Sequence, residues 1–86
     1  MTYDDAIGLA GSIDQSVDPG DPRLQRTVMA LLSPNGTYCT WHNAFVERFG
    51  DWFFVFTAQE GYFAYNADDL FMIKQFVSVQ IESMDQ

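Results

Sequence analysis

The sequence predicts an α+β domain, with an antiparallel β-sheet of three to four strands and N- and C-terminal helices packed on one face. Three observations carry this expectation. Residues 37–65 are dense in Thr, Tyr, Trp, Phe and Val, side chains that suit a pleated, half-buried surface. The two ends of the chain repeat apolar residues at helical spacing. Clusters of Gly, Pro, Asn and Asp separate the segments.

Each element has its own signal. Thr2 is placed to cap a first helix over residues 2–15, and Asp4 and Asp5 stand where the helix dipole favours negative charge. Ala6, Ile7, Ala10 and Ile13 mark its apolar stripe. Residues 16–22 read as a linker turn. Asp21-Pro22 then looks like a cap followed by proline at the first helical position. Leu24, Val28, Leu31 and Leu32 share one helical face, so a second helix is expected over residues 22–33. The competing reading is a strand over Thr27–Leu32, turned by Ser33-Pro34-Asn35-Gly36 into the next strand. Residues 37–49 are read as a strand, although Asn43–Gly50 also fits a capped helical turn. Trp52–Thr57 is the most strand-like run, and Tyr62–Tyr65 forms a further short strand. Asn66 or Asp68 is expected to cap a last helix, whose buried stripe is Leu70, Ile73, Val77, Ile81 and Met84.

The run Trp52–Thr57 raises a packing question. Trp52, Phe54 and Phe56 point one way, and Phe53 and Val55 the other. A half-buried strand alternates apolar with polar residues, and this one is apolar on both sides. Helices cover one face. The other requires a further layer, a homodimer partner, a target surface, or a loop or the 37–49 strand curling over it.

Length and charge bound the function. The 86 residues make a single domain, 1–86, and 16% of them are aromatic, enough large side chains for a core. Twelve Asp and Glu face four Lys and Arg, for a formal net charge of −8. Such a chain repels nucleic acid and anionic membrane surfaces, and attracts basic ones. Solubility alone accounts for part of that charge. One cysteine excludes an internal disulfide, and with no signal-peptide pattern a cytoplasmic setting is expected.

The chain lacks the parts for most catalysis. It holds one histidine, His42, and one cysteine, Cys39. In a strand these two positions point to opposite faces, and no G-x-S-x-G elbow is present. The pairs Asp4-Asp5 and Asp68-Asp69 both lie at expected helix starts, where capping explains them. One Cys and one His do not make a structural zinc site. Asp14, Asp18 and Asp21 lack calcium-loop spacing. No cofactor, metal or enzymatic activity is expected.

What remains is an acidic constellation. Asp4, Asp5, Asp14, Asp18 and Asp21 come from the first quarter of the chain, and Asp68, Asp69, Glu82 and Asp85 from the last. With both terminal helices on one sheet face, these carboxylates form a continuous negative surface. At i, i+3 or i+4 spacing they lie roughly 5–6 Å apart, comparable to successive phosphates of a nucleic-acid strand. Asp4, Asp5, Asp14, Asp18, Asp21, Asp68, Asp69 and Glu82 are therefore the candidate partner-binding residues.

A local stretch carries a family likeness. Phe63-Ala64-Tyr65-Asn66-Ala67-Asp68-Asp69, followed by Ile73-Lys74 and Phe76, resembles a segment of small acidic phage-encoded anti-CRISPR proteins. The likeness spans about fifteen of the 86 residues, read as a strand, a cap and a helix start. Members that mimic DNA act on type I surveillance complexes. The resemblance implies an inhibitor of such a complex, working in the cytoplasm of a bacterial host, with Asp68 and Asp69 among the DNA-mimicking acids. The alternative is an assembly module that homodimerises, or docks a protein partner, through an aromatic sheet face.

Overall fold

A computed structural model describes residues 1–77. The expected stripe residues Ile81 and Met84 and the acids Glu82 and Asp85 lie outside the described residues. Among the described residues the architecture is α+β, with one helix and a five-stranded antiparallel sheet. Helix α1 spans Tyr3–Ser16. Strands β1 to β5 span Arg26–Leu32, Thr37–Phe49, Trp52–Thr57, Tyr62–Asn66 and Leu70–Val77. Their order across the sheet is β4-β3-β2-β1-β5.

Helix α1 forms for the reasons its sequence suggests. The Thr2 side chain accepts from the Asp5 backbone, and the Asp5 carboxylate accepts from the Thr2 N–H in return, a capping box that satisfies two otherwise orphan donors. Ala6 and Ala10 are fully buried under the helix. Their small side chains let the backbone lie close to the sheet.

Among the described residues, neither of two further expected helices forms, and the expected three to four strands are five. After Asp21 caps a short 3-10 turn at Pro22–Gln25, the chain enters β1, so the competing strand reading of Thr27–Leu32 is the correct one. β1 is the inner strand between β2 and β5. It needs apolar residues at successive positions, and a continuous apolar run satisfies helical spacing by accident. At the far end, Asn66 caps only a 3-10 turn at Ala67–Asp69. Leu70–Val77 then forms β5, paired antiparallel with β1 from Leu32↔Leu70 to Arg26↔Val77. Ladder bonds to β1 replace the helix expected there. Asn43–Gly50 is likewise strand through Phe49, not a helical turn.

The sheet is sharply folded. Asn66 pairs with Trp52, which pairs with Phe49, the last residue of β2. Leu70 pairs with Leu32, which pairs with Thr37, the first residue of β2. Straight, the 13 residues of β2 would hold those ends roughly 40 Å apart. Yet the link from Asn66 to Leu70 reaches at most roughly 14 Å. β2 must therefore bend, and the bend lies at Asn43. The register jumps there, with Thr27 opposite His42 and Arg26 opposite Ala44. Asn43 is the extra residue, at φ 56°. This is a β-bulge, whose extra residue kinks and twists a strand, and Asn tolerates the left-handed region.

The bend divides the sheet into two layers that share β2. One layer is β5, β1 and the first half of β2; the other is the second half of β2 with β3 and β4. Between them lies a cluster of Val28, Ala44 and Val55, packed by Trp41, Val46, Tyr65 and Ile73. The Trp41 ring stands 5.8 Å from that of Tyr65 and 6.1 Å from that of Phe63. The second apolar face of β3 is thus covered by β2 curling over it. Gln75 on β5 reaches across, its side-chain oxygen accepting from the Val46 N–H at 3.3 Å. On the outer side, α1 covers Phe45, Phe54 and Phe56. Burying each such ring contributes roughly 1.5–3 kcal/mol.

Candidate acidic interface

The fold sorts the carboxylates into two groups. Three chain segments meet at the N-terminal end of α1. The Tyr3 ring lies 4.4 Å from the Trp52 ring. Met1 lies against the β2–β3 turn, so close that a Cβ built on Gly50 would stand 3.2 Å from the Met1 Cβ. The Ala67 N–H donates to the Asp51 carbonyl at 2.7 Å. This convergence brings Asp4, Asp5, Asp51, Asp68 and Asp69 to one end of the molecule, all exposed.

The backbone under these acids is braced. The Asn66 side chain accepts from the Asp68 N–H at 2.9 Å. The Asp69 carbonyl accepts from the Ser33 N–H, also at 2.9 Å. With the Ala67 bond, these tie the β4–β5 turn to two other loops. None of the five carboxylates forms an ion pair among the described residues. Arg48, beside the same turn, donates from Nε to the Gly50 carbonyl at 2.8 Å, and its guanidinium lies 5.0 Å from the centre of the Phe53 ring. Phe71 stands next to the acids and is 62% exposed. It is the residue without a β1 partner where the β1–β5 register shifts.

Asp14 and Asp18 lie at the opposite end, lining a shallow depression with Val17, Leu24 and the β3–β4 turn. Along α1 the offset from Asp4 to Asp14 is about 15 Å, beyond one Debye length at physiological salt. The two groups therefore act as separate patches, and the continuous surface expected from paired terminal helices is not built. Asp21 belongs to neither patch as a free charge. It caps the Pro22–Gln25 turn and is held by Arg23 through a 2.8 Å ion pair. The hydrogen bond from the Arg23 side chain, reinforced by one from the Arg23 backbone, lowers its carboxyl to about 2.

Asp51 is the acid that the sequence reading passed over. Beside Gly50 it has the look of turn chemistry alone, and only the long-range bond to Ala67 joins it to the others. The residues with catalytic side chains do not meet. Cys39 pairs with Ala30 and faces the inner cluster, while His42 pairs with Thr27 and faces outward, its Nδ1 3.5 Å from the Thr27 hydroxyl. Among the described residues, no three His, Cys, Asp or Glu side chains gather as metal ligands, and no helix is long and apolar enough to cross a membrane. The stretch that carries the anti-CRISPR likeness folds as strand, turn and strand, where a helix start was expected. Compared with protein-family models, curated proteins and solved structures, the chain matches none.

Proposed function

We propose that the protein is an inhibitory binding protein that presents its acidic end to a basic, nucleic-acid-binding groove. One observation carries this reading: Asp4, Asp5, Asp51, Asp68 and Asp69 converge from three separate segments, and none of them is neutralised by an ion pair among the described residues. Solubility needs net charge and is indifferent to where the carboxylates sit. Gathering five at one end costs mutual repulsion, which a Lys/Arg-lined partner would relieve.

The bracing of the β4–β5 turn adds support. Carboxylates on a fixed backbone lose little freedom on binding, so more of their attraction is kept as affinity. Phe71 and Tyr3 beside them supply apolar contact, the usual source of hot-spot energy. The target implied by the resemblance is a type I CRISPR surveillance complex, which places the protein in a bacterial host cytoplasm. The test is competition. Added protein is expected to displace labelled target duplex from such a complex, and Asp68→Lys with Asp69→Lys to abolish displacement. Displacement that survives both reversals, or that never occurs with the unaltered protein, contradicts the reading for this target.

A further inference from the structure

At the acidic end an open groove of about 320 Å³ takes its walls from both sheet layers. Arg48 of β2 and Phe53 of β3 form one wall; Leu70, Phe71 and Ile73 of β5 form the other. The groove carries the inner core out to the surface. Phe53 shares the face of Val55 on β3, and Ile73 packs against the cluster that holds Val55. Phe53, Leu70 and Ile73 are only partly buried. Carboxylates rim this apolar surface. Asp68 and Asp69 stand between Ala67 and Leu70, which both line the groove, and the Asp51 carbonyl accepts from the Ala67 N–H. Arg48 is the one cation among the lining residues. Its Nε is taken by the Gly50 carbonyl and its guanidinium lies over the Phe53 ring, and three carboxylates outnumber it.

We propose that this groove takes an apolar side chain of the partner, from a polypeptide segment with Lys or Arg on either side of it. The inference rests on the proposed acidic interface and adds what kind of segment meets it. Charge selects the occupant. Asp51, Asp68 and Asp69 repel nucleic acid and anionic lipid. A second copy brings a charge of −8 of its own. Residues 78–86 carry Glu82 and Asp85 and neither Lys nor Arg, so they too gain nothing from this rim. A basic segment gains attraction from all three acids. Exposed ion pairs alone add little affinity. An apolar side chain that leaves water between Phe53 and Phe71 adds more, in the manner of an anchor ringed by polar contacts. The groove is at the lower end of the roughly 300–1,000 Å³ of ligand sites, with room for a side chain the size of leucine or phenylalanine.

Three short synthetic peptides, titrated into the full chain at low salt and followed by NMR, test this. One has a leucine between two Lys-Arg pairs. The second has serine in place of the leucine, and the third keeps the leucine but has serine for every Lys and Arg. The first is expected to bind at least about fivefold more tightly than either of the others. It alone is expected to shift the methyl signals of Leu70, Met72 and Ile73, which line the groove. Phe71→Ser, at an exposed position without a β1 partner, is expected to bring the leucine and serine peptides within about twofold of each other. The methyl signals need no variant and serve if Phe71→Ser fails to fold. Equal binding of the leucine and serine peptides overturns the inference and leaves the acidic interface standing. Equal binding of the basic and neutral leucine peptides assigns the groove to apolar ligands of any charge and overturns the basic segment. Methyl signals that move with protein concentration alone assign it to a second copy, with the same consequence. Binding of no peptide also overturns the inference, while displacement of duplex from the surveillance complex decides the acidic interface separately.

Discussion

Asn43 is where the bend of β2 is most exposed to experiment. Its φ of 56° lies in the left-handed region, which costs an ordinary L-residue roughly 1–2 kcal/mol and is a genuine outlier for a β-branched one. Glycine escapes that cost but loses about 0.5–1 kcal/mol through the greater entropy of its unfolded chain. Asn43→Gly is therefore expected to change stability by less than about 1 kcal/mol, and Asn43→Val to destabilise by about 1–2 kcal/mol. For a domain of this size, 1 kcal/mol corresponds to roughly 4–8 °C in Tm, so the valine variant should melt roughly 4–16 °C lower. Asn43 is exposed, so lost packing contributes little to the comparison. Urea unfolding and thermal melts of the three proteins measure the difference. Equal stability of the valine and glycine variants would refute the left-handed bulge, and with it the folding of the sheet into two layers.

Two further outcomes follow from the core and from the Asp21–Arg23 pair. Phe54 of β3 is fully buried in the cluster under α1, and Phe54→Ala is expected to cost about 3–5 kcal/mol, a large part of the roughly 5–15 kcal/mol that holds a domain together; a urea midpoint near that of the unaltered protein would contradict this. Asp21, lowered from 3.8 to about 2, stabilises the fold above its unfolded value and loses that contribution as pH falls through the lowered one. Between about pH 4 and pH 2 the urea midpoint should thus fall less steeply in Asp21→Asn than in the unaltered protein, and parallel curves would remove the pair from the acid response.

The strands that turn locally were legible in the sequence, and those that pair at long range were not. β3 occupies Trp52–Thr57 as expected, because six consecutive aromatic and β-branched residues between turns have few alternatives. The Thr2 cap of α1 was equally plain, since every partner lies within one turn. β5 was hidden by its own sequence. Leu70, Ile73 and Val77 satisfy helical spacing, and Phe71, the residue left without a β1 partner, breaks the two-residue alternation that would have marked a strand. β1 and β5 also depend on each other, and short-range periodicity carries no record of a partner 38 to 51 residues away. The acidic site was half legible for the same reason. Its residue type and charge are on the page of the sequence, while the grouping of Asp51 with Asp4 and Asp68 is made by the bend at Asn43 and the Ala67 bond.

The sharpest test of the proposed acidic interface compares its two ends at equal charge. Asp51, Asp68 and Asp69 are reversed to Lys in one variant, and Asp14, Asp18 and Glu60 in another, so that both change net charge equally. Association with a type I surveillance complex is then timed at low and moderate salt. Reversal at the Asp51 end is expected to slow association at least about tenfold at low salt and to flatten its salt dependence, while reversal at the Asp14 end leaves the rate within about twofold. Equal slowing by both variants would reduce the acidic end to bulk charge, and no change in either would contradict an acidic interface altogether.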